Sequence, residues 1–337
     1  MKVRILTILV VLAIALGAAA QPRKRVMIGG PDGDEAKDWP KAKAAAGVDG
    51  IAPYLDALVQ RDLFSGVVLV IRNGQPVFQK AYGFANKDFE VPNTMQTRFN
   101  IGSINKIFTM TALKQLRDAG KLSFDDKLSR FLPQYAFADK ITIAQMLEHS
   151  SGLGDFFGDE YDALPKDRIR TLSDYVPLFA DKPLEFEPGA QRRYSNAAYI
   201  LLGIVIEKIS GMPYDEYLRT KIFTPAGMAD TGAFDADAVV ARRAVGYTRD
   251  GRSNLYSLPG HGSSAGGGYS TAADLVAFAK WAHIGDGSGF AGGAPGLNAA
   301  IEVEGGATIV VLSNYSPPAA TEVAMNLRKL LGIGTDD

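Results

Sequence analysis

Cysteine is absent from all 337 residues. That excludes thiol nucleophiles, disulfides, thiolate metal sites and lipid attachment through an N-terminal cysteine. Histidine is scarce, and His149, His261 and His283 are scattered without ligand spacing, so no metal is expected. A single-signed charge excess is also missing. The 36 basic and 37 acidic side chains leave a net charge of −1, so no positive field exists to gather nucleic acid or anionic lipid. No glycine motif of the phosphate-cradling kind occurs, and no cofactor is expected.

What is present is an ordinary globular composition, 47% hydrophobic and 22% charged. Lys2 and Arg4, the apolar stretch Ile5 to Leu16 and the small residues Ala18-Ala19-Ala20 predict a secretory leader over residues 1–20. Export to the periplasm or medium follows from it, with no stable membrane span once the leader is cut. Residues 21–46 lack any sustained period and predict a mobile lead-in. A single domain is expected over 47–333.

Ile51, Tyr54, Leu55, Leu58 and Val59 follow helical spacing. Two β-rich runs, Val67 to Arg72 and Val77 to Ala85, flank Asn73-Gly74, a hairpin signal. Buried helices are then expected around Ile104 to Leu116, Asn196 to Ile209 and Thr271 to Trp281, with a capping box at Thr142 and Gln145. The chain returns to β over Leu297 to Val303 and Ala307 to Asn314, and closes with a helix over Ala319 to Leu331. The pattern predicts an α/β (α+β) fold. One antiparallel sheet would be built from both chain ends and flanked by helices, with a helical region inserted over roughly 100–285.

Chemistry concentrates at Ser103-Ile104-Asn105-Lys106. Residues i and i+3 share a helix face. A serine needs a group to take its proton, and a desolvated lysine can join in that traffic. Downstream, Tyr194-Ser195-Asn196 precedes an apolar helix and offers a phenol and an amide. Taken singly, these residues read more readily as an N-cap, a snorkelling lysine and a solvated tyrosine.

Together the segments resemble the penicillin-recognising serine hydrolases, in the branch of class C β-lactamases, D-Ala-D-Ala carboxypeptidases and β-lactamase-like esterases. The resemblance rests on Phe99 to Thr109, on Ile141 to Leu153, on Pro188-Gly189 to Asn196 and on Pro225-Ala226-Gly227-Met228. Gly267 to Asp274, Gly292-Gly293-Ala294-Pro295-Gly296 and Val310 to Asn314 extend it, so that it covers roughly 50 to 331. It implies a β-lactamase/transpeptidase-like fold and a two-step acyl transfer. Ser103 would be the acylated nucleophile, Lys106 would assist its deprotonation, and Tyr194 would act as general base and then acid. Asn196, Gly292 and Gly293 would bind substrate, with the N–H groups of Ser103 and Gly293 as oxyanion hole.

One position departs from that family pattern. Five residues before Pro295, where the family carries Lys or His, stands Phe290, which offers neither charge nor donor. The segment Ala282 to Phe290 is also short for the family. A cation for a substrate carboxylate is therefore missing, and so is a partner that would lower the pKa of Tyr194. The expected substrate shifts to a small carboxylic ester, with a β-lactam or peptidoglycan-like amide as the alternative and a non-catalytic envelope-binding relative as the rival. His283-Ile284-Gly285 offers a displaced His-x-Gly but reads as a helix end. Gly262-Ser263-Ser264-Ala265-Gly266 fits a nucleophile elbow without its strand and helix, and reads as a loop lining the cleft. Asp155, Asp159 and Glu160 read as a solvated acidic loop, with Phe156, Phe157 and Tyr161 as cleft candidates, and His149 as a structural residue.

Overall fold

The computed structural model describes residues 39–43 and 46–333. The expected leader and residues 21–38 of the lead-in lie outside them. Two described residues of that lead-in are packed: Trp39 is buried, and the Ala42 N–H donates to Asn326 Oδ1 at 3.1 Å.

Five antiparallel strands form the central sheet. They are β1 (Gly66–Arg72), β2 (Gln75–Tyr82), β3 (Ser288–Ala294), β4 (Leu297–Glu304) and β5 (Ala307–Ser313), in the order β2-β1-β5-β4-β3. The two chain ends meet where Gly66 pairs with Ser313 and Arg72 with Ala307. Asn73 and Gly74 turn the first hairpin, both with positive φ, as Asn-Gly turns require. Alternation sends Val67, Leu69, Ile301, Val310 and Leu312 to one face and Val68, Val70, Ile309 and Val311 to the other. Helix α1 (Ile51–Gln60) and the C-terminal helix Ala319–Leu331 cover the second face through Leu55, Leu58, Val323 and Leu327.

The first face carries the inserted region. Its main helices are α2 (Asn105–Asp118), α3 (Asn196–Ser210) and α4 (Ala272–Trp281). Ten residues of α3 are buried, which explains its nearly all-apolar sequence. Thr142 and Gln145 form the expected capping box. Short strands Phe99–Asn100, Gly232–Ala233 and Gly268–Ser270 form a small second sheet in this region, which the sequence pattern did not indicate. Two- and three-residue strands are too short to show a period.

The short 282–290 segment does not interrupt the main sheet. Residues between Trp281 and Ser288 link α4 directly to β3, and β3 pairs with β4 from Ser288↔Val303 to Ala294↔Leu297. His283 ends α4 with φ 52°, its N–H on Lys280 O, and is not among the cleft residues. Among the described residues, no single helix is long and apolar enough to cross a membrane.

Candidate active site

Ser103 stands in the 3₁₀ turn Gly102–Ile104 that leads into α2, and Lys106 lies in the first turn of α2. The structure brings four predicted residues together. Ser103 Oγ is 2.8 Å from Tyr194 Oη and 3.1 Å from Lys106 Nζ. Lys106 Nζ also meets Asn196 Oδ1 at 2.7 Å and donates to the Ala265 carbonyl. Tyr194 and Asn196 reach the site because Ser195 caps α3, its Oγ accepting from the Ala198 N–H at 3.1 Å.

Gly292 and Gly293 border the nucleophile. A Cβ on Gly292 would fall 2.1 Å from Ile101 O and 2.7 Å from Ser103 N. Only glycine therefore lets β3 lie this close to the serine turn. Gly293 lines the same cavity as Ser103, Tyr194 and Asn196.

Burial sets the proton affinities. Lys106 is 3% exposed, and desolvation pulls its pKa down to about 7, against a smaller opposing effect of the Asp155 charge. Burial pushes the Tyr194 phenol well above its ordinary value, and the Ser103 hydrogen bond only partly offsets this. Burial thus favours the protonated phenol of Tyr194 and the neutral amine of Lys106. His149 supports Tyr194 from beneath, with ring centroids 4.5 Å apart, and its Nδ1 accepts the Ser195 N–H at 3.2 Å. Burial and the nearby Lys106 push its pKa down to about 3, so the ring is neutral.

Several residues of the site carry a correction or an addition. Asp155 belongs to the site and not to a solvated acidic face: Oδ2 accepts from the Asn196 N–H at 3.1 Å and from Asn196 Nδ2 at 2.9 Å. Asp159 and Glu160 are exposed as expected. Ser264 is fully buried, with its Oγ on the Tyr199 carbonyl at 2.8 Å, so the elbow-like motif holds no free nucleophile. A Cβ on Gly203 would stand 2.3 Å from that Oγ, so the contact needs glycine there. The motif is instead a tight turn pinned to α2. Asn105 Nδ2 donates to Ser263 O at 2.7 Å, Thr109 Oγ1 to Ser264 O at 2.8 Å, and Lys106 to Ala265 O. Asn105 and Thr109 were not singled out from the sequence. Polar side chains beside Lys106 among the apolar residues of the first half of the helix were the available signal.

Phe290 pairs with Ile301, and its half-buried side chain packs against the core. The cleft, a cavity of about 610 Å³, begins on this strand only at Gly293. Phe156, Phe157 and Tyr161 line it, joined by Tyr175 and Phe234. The Phe156 and Tyr175 rings pack in a tilted pair with centroids 4.6 Å apart. Lys166 also lines the cavity, but its ammonium is occupied by the carbonyls of Tyr161, Asp162 and Leu164. Among the described residues, no cluster of three or more His, Asp or Glu could hold a metal.

Residues 49–300 match the family described as Beta-lactamase. The chain belongs to this family of serine hydrolases, with its β-lactamase/transpeptidase-like fold. It is 32% identical over 209 residues to penicillin-binding protein 4* of Bacillus subtilis, covering 60% of this chain and 46% of that protein. Against a putative penicillin-binding protein, PbpX, of the same organism it is 30% identical over 218 residues, covering 64% and 54%. The chain thus spans about half the length of the curated relatives it matches. A penicillin-binding protein from Bacillus halodurans superposes with a TM-score of 0.74 at 33% identity, over 81% of this chain and 98% of that one. A class C β-lactamase mutant shares the fold at 19% identity, TM-score 0.68, over 85% and 96%.

Proposed function

We propose that the protein is an exported serine hydrolase that cleaves carboxylic esters of modest size through an acyl-enzyme on Ser103. The observation that carries the reading is the Ser103–Lys106–Tyr194 contact set beside a cleft bordered by β3, the strand that carries Phe290 where the family pattern has a cation. In this reading Lys106 takes the Ser103 proton as Oγ attacks the carbonyl carbon. The N–H groups of Ser103 and Gly293 stabilise the resulting oxyanion. As it collapses, the bond to the alcohol breaks and Tyr194 protonates the leaving oxygen. The proton gained by Lys106 restores the phenol. Water then attacks the acyl group by the same route and releases the acid.

Neutral substrates follow from the cleft. Its aromatic lining favours apolar groups. A β-lactam or a D-Ala-D-Ala peptide carries a carboxylate, and Lys166 already satisfies three carbonyls. The decisive experiment compares hydrolysis of a short-chain chromogenic ester by the protein and by Ser103→Ala. Turnover that disappears in the variant is expected. Equal turnover in both, or none in a folded wild type, overturns the reading, and efficient penicillin turnover overturns its ester preference.

A further inference from the structure

Lys106 Nζ has three polar neighbours, Ala265 O, Asn196 Oδ1 and Ser103 Oγ. An ammonium donates to all three. A neutral amine has two N–H bonds and one lone pair. The Ala265 carbonyl can only accept, so it takes one N–H. The Asn196 side chain is different, because either end of an amide can face a neighbour. If Oδ1 faces Lys106, the second N–H goes there and the lone pair is left for Ser103. If Nδ2 faces Lys106, it donates into the lone pair and Ser103 loses its base.

Asp155 decides between these arrangements. Its carboxylate only accepts. Oδ2 takes Asn196 Nδ2 at 2.9 Å and the Asn196 N–H at 3.1 Å, while Oδ1 takes the Phe156 N–H at 2.7 Å and the Phe157 N–H at 3.4 Å. Four N–H groups therefore hold the carboxylate, and the carboxylate holds Nδ2 away from Lys106. We infer that Asp155 is a positioning residue which, through Asn196, aims the lone pair of neutral Lys106 at Ser103 Oγ. The inference rests on the Ser103 hydrolase reading but not on ester preference.

Asp155 also has a charge effect of opposite sense. Its negative charge favours the ammonium form of Lys106, so removing it lets Lys106 lose its proton at lower pH. A variant without the carboxylate has more neutral lysine and yet a less reactive serine. A loop that merely loosened would not produce that combination.

The test is the rate of Ser103 labelling by a fluorophosphonate, followed against pH in the full chain. Asp155→Ala is expected to slow labelling by about 10- to 100-fold, as removal of an outer partner of a reacting group does. The acid limb moves about 1 pH unit lower. In an Asn196→Ala background the same substitution changes the rate by less than about threefold, because the path through Asn196 is gone. Asp155→Asn keeps the shape and one accepting oxygen, and serves if the alanine variant melts. Labelling within twofold of wild type, an unmoved limb, or an equal loss in the Asn196→Ala background overturns the inference. Labelling without ester turnover keeps the inference and sinks the ester reading. A wild-type Ser103 that takes no label sinks both.

Discussion

The two walls of the cleft differ in kind. The helical wall, from α2, α3 and the loop at Asp155, supplies every polar side chain that meets Ser103 or Lys106. The β3 wall supplies backbone only: Gly292 and Gly293 beside the serine turn, and Phe290 packed into the core. In the proposed mechanism the first wall moves protons and the second gives close approach and half of the oxyanion hole. The side-chain contacts to Ser103 lie on the helical side. What β3 lacks is a group to hold a substrate anion. Proton transfer and the recognition of charge thus fall on different walls in that mechanism, and altering each wall in turn tests the contrast.

The largest effect is expected on the helical wall. Lys106→Met keeps a long apolar side chain in the buried site but removes the amine. Hydrolysis and Ser103 labelling should fall by about 10³-fold or more, within the range general base catalysis contributes. The wild-type profile carries a second signature. In the proposed mechanism Lys106 works as the neutral amine, and its pKa is drawn down to about 7, so activity should be lost as pH falls through that value. Lys106→Met should leave a residual rate without that limb. A limb that persists near pH 7 in the variant would assign it to another group and undo the contrast between the walls.

A smaller effect is expected on the β3 wall. Phe290→Lys introduces a cation on the strand that carries Gly292 and Gly293. Selectivity, as the ratio of kcat/KM for an anionic over a neutral ester of the same alcohol, should rise by about 10- to 100-fold, worth one charge-assisted hydrogen bond. The rate on the neutral ester should change less. If the ratio stays put in a folded variant, the cation does not reach the cleft. The cleft would then begin at Gly293, as its lining indicates, and position 290 would play no part in selectivity.

What the sequence disclosed follows the same division. The sheet from both chain ends was readable because β1, β4 and β5 alternate or run apolar, and because Asn73-Gly74 marks a turn. Ser103, Lys106, Tyr194 and Asn196 were readable because each is a distinctive residue type in a short motif. Asp155 was not. An acidic residue in a glycine-rich loop looks solvated, and its bond to Asn196 spans 41 positions of chain. The Ala265 carbonyl was not readable either, since a backbone acceptor leaves no trace in residue type. The protonation state of Tyr194 was not readable for a related reason. Burial is a property of the assembled core, and it works against ionising Tyr194.

The smallest effect concerns the second serine and tests whether the helical wall is a single machine. Ser264 Oγ is spent on the Tyr199 carbonyl within the body of α3, and its own carbonyl takes the Thr109 hydroxyl. Ser264→Ala removes one buried hydrogen bond and leaves a carbonyl short of a partner, so a loss of stability of about 1–3 kcal/mol is expected. The turn should stay pinned by Asn105 and Thr109, whose acceptors are backbone oxygens that the substitution keeps. Labelling should therefore remain on Ser103, slowed by less than about tenfold, in a protein that melts earlier. Mass spectrometry of the labelled peptide decides the matter. Label on a peptide that spans 263–266 in the wild type would make the turn a nucleophile elbow after all. It would also reduce the contacts around Ser103 to packing.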